Sequence, residues 1–235
     1  MMVRIGNFLF HYRNGLFPIA YGLLFVNSAP LLQDFHFAFI VGFVTAIAGQ
    51  LLRAITIGHD YIIRGGLQRQ VYAEQLVQGG MFAHCRNPLY VGNFMVLLGL
   101  GVAANSRIFV GIAVPFFFFA YWAIILAEED YLRGKFGPEF DAYCARVNRI
   151  VPRFSGIGRT LASGSFNWQR LITKEYGSAY IWIVAIMLVT LKNYWVADVQ
   201  HAHPLSDFWL WIGIIVATVC YVTARIMKKT GKLRA

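Results

Sequence analysis

Two clusters in this chain have the residue types and spacing that chemistry uses. Glu128-Glu129-Asp130 sets three acids side by side, directly after the apolar run Ala123–Ala127, in a chain with only 11 acidic residues. Acids at a span boundary are costly unless paired or used, and a helix C-terminus is already negative. The structural alternative is that they solvate a helix end and pair with Arg133 or Lys135. The second cluster is Arg86-Asn87-Pro88-Leu89-Tyr90. Asn87 suits a helix N-cap, Pro88 the first helical turn, and Arg86 and Tyr90 a membrane interface. Taken alone, that cluster has a complete structural explanation. His201-Ala202-His203 with Asp198 and Asp207 has some metal-binding character, but an interfacial loop accounts for it and no metal site is expected. His59-Asp60 and His84 stand alone on the same side as the two clusters.

The elements that must position these residues are membrane helices. The chain is 58% hydrophobic and 14% charged, against roughly a quarter charged in soluble domains. Stretches of about 20 apolar residues cross the hydrocarbon core, and about six qualify: 15–32, 36–57, 88–105, 108–127, 178–197 and 207–227. The expected fold is an all-α polytopic bundle of about six spans with both termini cytosolic.

The basic residues test that topology. Arg4 and Arg13 precede the first turn to the outside. Arg53, Arg64, Arg69 and Arg86 fall around the second inner end, eight more lie in 128–177, and five follow residue 224. Only Arg107 and Lys192 of the 21 basic residues fall outside, as the positive-inside rule requires. The net charge of +10 then reflects topology and attraction to anionic headgroups. Nucleic-acid binding would want aromatics interleaved with basic groups in soluble segments, and none is expected. Cys85, Cys144 and Cys220 imply no disulfide framework. The N-terminal apolar run reads as a retained span, because Pro30 sits awkwardly for a signal cleavage site.

No repeat or linker divides the chain, so 1–235 reads as a single membrane domain. Its polar parts face the cytosol. The run Gln68–Gln78 has the makings of a short interfacial helix. Leu132, Phe136, Phe140, Tyr143 and Val147 form an amphipathic stripe that continues the fourth span, interrupted at Gly137-Pro138.

The two clusters, in order, resemble the isoprenylcysteine carboxyl methyltransferase and phospholipid methyltransferase superfamily of integral membrane enzymes. The likeness rests on Leu76-Val77-Gln78-Gly79-Gly80-Met81-Phe82 and Arg86-Asn87-Pro88-Leu89-Tyr90-Val91-Gly92. It continues in Glu128-Glu129, Leu132, Phe136-Gly137, Phe140, Tyr143, Arg146-Val147 and Pro152. It covers about 76–152 as a cofactor core and leaves the two C-terminal spans, 178–227, unexplained. Many relatives carry His where this chain has Asn87.

The resemblance implies S-adenosylmethionine held by Leu76, Val77, Gly80, Phe82, Arg86, Asn87, Tyr90, Glu128 and Glu129, with Arg146 near the substrate. It implies methyl transfer to a lipid or lipid-like acceptor, either a prenylcysteine carboxylate or a phospholipid amine, at the cytosolic face. A carboxylate acceptor would want a cation such as Arg146. An amine must lose a proton, for which Glu129 or a water would serve as base. Membrane lipids are the expected surroundings, and no protein partner is evident. The rival is an NADPH-dependent reductase of the sterol-reductase type, which starts a helix with a similar Pro-x-Tyr-x-Gly but usually places an acid where Asn93 sits. A transporter ranks last, since no charge deep in a span and no inverted repeat is read.

Overall fold

The computed structural model describes residues 1–60, 70–197 and 204–233. Among them the chain forms eight α-helices and no β-strand. They are α1 (Met2–Gly22), α2 (Phe35–His59), α3 (Pro88–Ala103), α4 (Val114–Phe136), α5 (Pro138–Arg146), α6 (Ile157–Ser163), α7 (Trp168–Ala197) and α8 (Pro204–Lys229). A π-helical turn, Phe109–Ala113, leads into α4. Four segments are long and apolar enough to cross a membrane, Phe35–His59, Phe109–Phe136, Trp168–Val196 and Asp207–Lys229, and α3 is a shorter apolar helix. The chain is an integral membrane protein built as a polytopic helical bundle.

Three expectations are corrected. The first helix runs over Met2–Gly22 rather than 15–32. Residues past Phe25 leave the helix, because Val26 is extended and Pro30 cannot donate to a helical ladder. α7 starts at Trp168, ten residues before the expected span. Residues 70–78, the described part of Gln68–Gln78, form an irregular segment and not a helix. By contrast, the break after the fourth span stands: α4 ends at Phe136, Gly137 takes φ +51°, and α5 begins at Pro138. The His201–His203 loop lies outside the described residues.

Glycine decides how closely α2 and α3 meet. A Cβ on Gly49 would lie 2.6 Å from Gly92 O, and one on Gly99 would lie 2.5 Å from Gly42 O. Small residues let two backbones approach this way inside lipid, where packing and not water drives helix association. α1 meets α4 similarly, with Gly6 against the Ala123 carbonyl. On the outer side Asn105, at φ +51°, clips the α1–α2 connection to the α3–α4 turn. Its Oδ1 accepts from Leu32 N (2.8 Å) and its Nδ2 donates to Leu32 O (2.9 Å). Asn tolerates this left-handed conformation better than most residues.

The bundle core joins α1, α3, α4 and α7 through Phe17, Leu97, Leu100, Phe117, Trp182 and Ile186. α7 is therefore an integral wall of the bundle. α8 packs on the outer side of α7, through the Tyr180–Tyr221 ring stack and the Tyr180–Thr218 hydroxyl pair. Its other face carries exposed Phe208, Trp209, Ile215 and Val219, the surface a lipid-facing helix presents.

Candidate active site

The site assembles at the N-terminal end of α3 and beside the C-terminal half of α4, where a short chain segment after α5 folds back on the residues before α3. Arg86 N donates to Asn148 O (2.9 Å) and Arg153 N to His84 O (2.9 Å). The Cys85 thiol points at Ile150 O (3.2 Å). Burial pushes that thiol from its ordinary 9.0 up to about 11, only partly offset by the Asn87 backbone N–H and the Arg86 charge. From α5, Tyr143 donates its hydroxyl to Phe82 O (2.7 Å), and burial raises its pKa so that it stays a donor.

Glu129 is the hub of this knot. Its carboxylate accepts from Arg86 Nε and Nη2 (3.1 and 3.0 Å) and from Arg149 Nε and Nη2 (3.0 and 2.7 Å), and its side chain is only 6% exposed. Arg86 spends its remaining Nη1 donor on Cys144 O and Val147 O. The bidentate geometry of the two guanidinium groups leaves Glu129 little room for another partner. The alternative, in which Glu129 pairs with Arg133 or Lys135, does not hold. Arg133 pairs with Asp141 (2.9 Å), and Lys135 donates to Ala73 O (2.5 Å). Nor do the acids cap a helix end, since α4 continues to Phe136.

Glu128, one residue earlier, faces elsewhere. The Tyr90 hydroxyl donates to its Oε1 (2.8 Å), and among the described residues it forms no ion pair. Asn87 holds the N-cap position of α3, as its sequence suggests, but its side chain makes no capping bond. Instead Nδ2 donates to Arg149 O (3.1 Å), so Asn87 tethers the returning segment.

Two cavities meet at this knot. The inner one, about 280 Å³, lies beneath the irregular segment 71–77 and is lined by Leu76, Val77, Phe82, Leu132, Phe140 and the two glutamates, with Phe10 of α1 closing it. The outer one, about 1090 Å³, extends along α1, α3, α4 and α7. Phe82, Arg86, Asn87 and Glu128 line both.

Seven of the nine cofactor-side residues therefore converge on the inner cavity: Leu76, Val77, Phe82, Arg86, Asn87, Glu128 and Glu129. Tyr90 lines the outer cavity and reaches the site through Glu128. Gly80, at φ +50°, lines neither, and serves the turn beside Asp60. Arg146 also stands apart, bonded to Gln78 Oε1 (3.1 Å) and Ala142 O on an exposed face.

Residues 34–139 match the family model of phospholipid methyltransferases. That family model belongs to the isoprenylcysteine carboxyl methyltransferase and phospholipid methyltransferase superfamily of integral membrane methyltransferases. The matched segment begins upstream of the motifs, taking in all of α2, and stops just inside α5. Two curated proteins are similar to the chain. The nickel-cobalt-cadmium resistance protein NccN of Alcaligenes xylosoxydans xylosoxydans is 40% identical over 81 residues, 34% of this chain and 38% of that protein. The cobalt-zinc-cadmium resistance protein CzcN of Cupriavidus metallidurans is 38% identical over 80 residues, 34% of this chain and 37% of its own length. The chain thus spans under two fifths of the length of these relatives. No solved structure matches it.

Sequence reasoning missed one part of the site. Arg53 of α2 and Glu175 of α7 form a buried ion pair, Nε to Oε1 2.6 Å and Nη2 to Oε2 2.9 Å. The pair lies near the ends of the expected spans, and no motif in the sequence brings the two residues together. Gln50 donates to the same glutamate (3.3 Å) and accepts from Trp182 Nε1 (2.8 Å). Arg53 also donates to Asn93 Oδ1. Gln50, Arg53, Asn93 and Trp182 all line the outer cavity. The only signal was the apolar run of α7 continuing back through Leu171-Ile172 past the polar Lys174-Glu175.

Proposed function

We propose that this protein is a methyltransferase that transfers a methyl group from S-adenosylmethionine to a lipid amine at the cytosolic face of the membrane. The observation that carries the reading is the shared wall: one cavity of small-ligand size opens against a second, mostly apolar one, and Glu128 stands between them. Small-molecule sites are concave and largely apolar with a few placed polar groups, and the inner cavity fits that description.

The donor set suits the cofactor. Phe82 and Phe140 offer aromatic surface to a purine or a sulfonium. The backbone of 71–77 offers amide donors and carbonyls, and Glu128 supplies an anionic oxygen for an ammonium or ribose hydroxyls. When bound, the cofactor supplies an electrophilic methyl carbon on a positively charged sulfur. The chain's own residues then have to orient the acceptor, exclude water and take up a proton.

The acceptor chemistry follows from charge. Arg86 has its donors committed and Arg146 lies away from both cavities, while Arg13, over the Phe10 ring at 4.1 Å, lines the outer cavity and suits the phosphate of an aminophospholipid. A carboxylate without an ion pair suits an ammonium. Glu128 orients the protonated amine, accepts its proton, and leaves the nitrogen lone pair free to form the new N–C bond as the C–S bond breaks. Tyr90 holds the other contact of that carboxylate. The base is therefore Glu128, and Glu129 is the anchor that keeps Arg86 and Arg149 in place.

The supporting test is calorimetry on the detergent-purified chain, titrating S-adenosylhomocysteine and NADPH separately. Saturable binding of S-adenosylhomocysteine, reduced at least tenfold by the cavity-filling Leu132→Trp, is expected. Saturable binding of NADPH alone would replace the methyltransferase reading with a reductase.

A further inference from the structure

A buried arginine–glutamate pair is a poor choice for stability, because desolvating both charges cancels much of their attraction. Arg53, at the wall of the outer cavity, and Glu175 behind it are nonetheless only 5% and 4% exposed. Their geometry shows what the pair does. Arg53 donates to Asn93 Oδ1, so the amide of Asn93 has its oxygen turned toward α2 and its Nδ2 turned away. An amide has a carbonyl acceptor on one side and two donors on the other, and here the guanidinium decides which is which. Among the described residues Asn93 Nδ2 makes no hydrogen bond, and Asn93 lines the cavity. The hydroxyls of Tyr21 and Tyr121, also on that wall, make none either.

This polar band lies at a defined depth. Asn93 is six residues along α3 from Asn87, a rise of about 9 Å, and Asn87 belongs to the wall where the two cavities meet. Beyond the band the cavity is bounded by Leu24, Phe25, Val184 and Leu188, which suit hydrocarbon. A ligand extending from the shared wall along the outer cavity thus meets a donor about 9 Å past Asn87, ahead of that apolar end. That donor wants an uncharged oxygen, because Glu175 already neutralises Arg53.

We propose that Asn93 is a specificity-determining residue that receives an ester or ether oxygen of a glycerolipid acceptor, and that α7 fixes its orientation through Glu175 and Arg53. The proposal rests on the methyltransferase reading, and deepens it by naming the residue that would read the acceptor's uncharged oxygens. In such a lipid the glycerol oxygens follow the amine and phosphate along the molecule, so an amine at Glu128 sends them further along the outer cavity, whose wall includes Asn93. Arg53 and Glu175 are positioning residues, acting through Asn93. The acceptor-side wall is thereby contributed in part by a helix that lies outside the matched segment 34–139.

The test compares two ligands on the purified full chain saturated with S-adenosylhomocysteine. Dioleoyl phosphatidylethanolamine carries glycerol oxygens. Hexadecylphosphoethanolamine carries the same amine and phosphate without them. Asn93→Leu should weaken binding of the first about fivefold or more, the size of one buried neutral hydrogen bond, and leave the second unchanged. Glu175→Gln should produce a smaller loss with the same ligand dependence. Asn93→Ala serves if Asn93→Leu does not fold, with S-adenosylhomocysteine binding as the check on folding. Equal losses for both ligands, no loss for either, or no binding of either ligand by the wild type would overturn the proposal. A ligand-dependent loss without any methyl transfer would leave the Asn93 site standing and remove the transferase reading.

Discussion

The hydroxyl of Tyr90 donates to Glu128 Oε1 at 2.8 Å, joining two helices whose residues are 38 apart in the chain. That single bond ties the start of α3 to α4 where the two cavities share a wall. It also separates the roles of two adjacent glutamates. Glu129 is held by two arginines, and Glu128 is left at the wall the two cavities share.

Glu128→Gln keeps the shape and the Tyr90 contact but removes the proton acceptor. Methyl transfer to an amine should fall by about 10²-fold or more, with S-adenosylhomocysteine affinity changed only a few-fold. Tyr90→Phe, which frees the carboxylate to rotate, should cost about tenfold. Initial-rate measurements with a tritiated methyl donor check both.

Glu129→Ala should act on stability first. It leaves the side chain of Arg86, 10% exposed, without its carboxylate, and strips Arg149 of the same partner. Removing one member of a buried pair costs about 3–5 kcal/mol, discounted here toward the lower figure because Arg149 is partly exposed. A lowered Tm together with lost cofactor binding is the expected result. Asn87→Ala, which loses one bond to Arg149 O, should cost only about 1 kcal/mol.

Gly49→Ala should destabilise the bundle by about 1–3 kcal/mol, the usual cost of overpacking. The new Cβ would meet Gly92 O at 2.6 Å, and backbone cannot swing aside as a side chain can. Thermal unfolding in detergent reads this directly, and Gly15→Ala, where a Cβ meets nothing, is the control.

Cys85 supplies a pH prediction. Its thiol is pushed up to about 11 by burial, so the folded chain holds that proton to higher pH than the unfolded chain does. The associated stability is fully present below about pH 9 and is lost as pH rises from there toward 11. Maleimide labelling at pH 8, mapped by mass spectrometry, should spare Cys85 in the folded protein and modify it after unfolding.

Much of this architecture was legible in the residues. Apolar run lengths located α2, α4, α7 and α8, and Gly137-Pro138 located the α4–α5 break, because those signals are local. The ordered motifs brought Leu76, Val77, Phe82, Asn87 and Glu128 to one cavity. The division of labour between Glu128 and Glu129 was not legible. It depends on Arg149, which reaches Glu129 only because the chain after α5 folds back. Nor was the Arg53–Glu175 pair, whose partners lie 122 residues apart on stretches that each look like span ends. The α2–α3 contact needed the register of Gly42 and Gly49 against Gly92 and Gly99, which pairwise packing alone reveals.

The central claim is methyl transfer to a lipid amine across the shared wall. The most direct measurement places the purified chain in vesicles containing dioleoyl phosphatidylethanolamine, adds S-adenosylmethionine with a tritiated methyl group, and counts label in the extracted lipid. The account predicts label in the phosphatidylethanolamine fraction as its N-methylated product, reduced about 10²-fold by Glu128→Gln. Unlabelled lipid with the wild-type chain, under conditions where it binds S-adenosylhomocysteine, would contradict it.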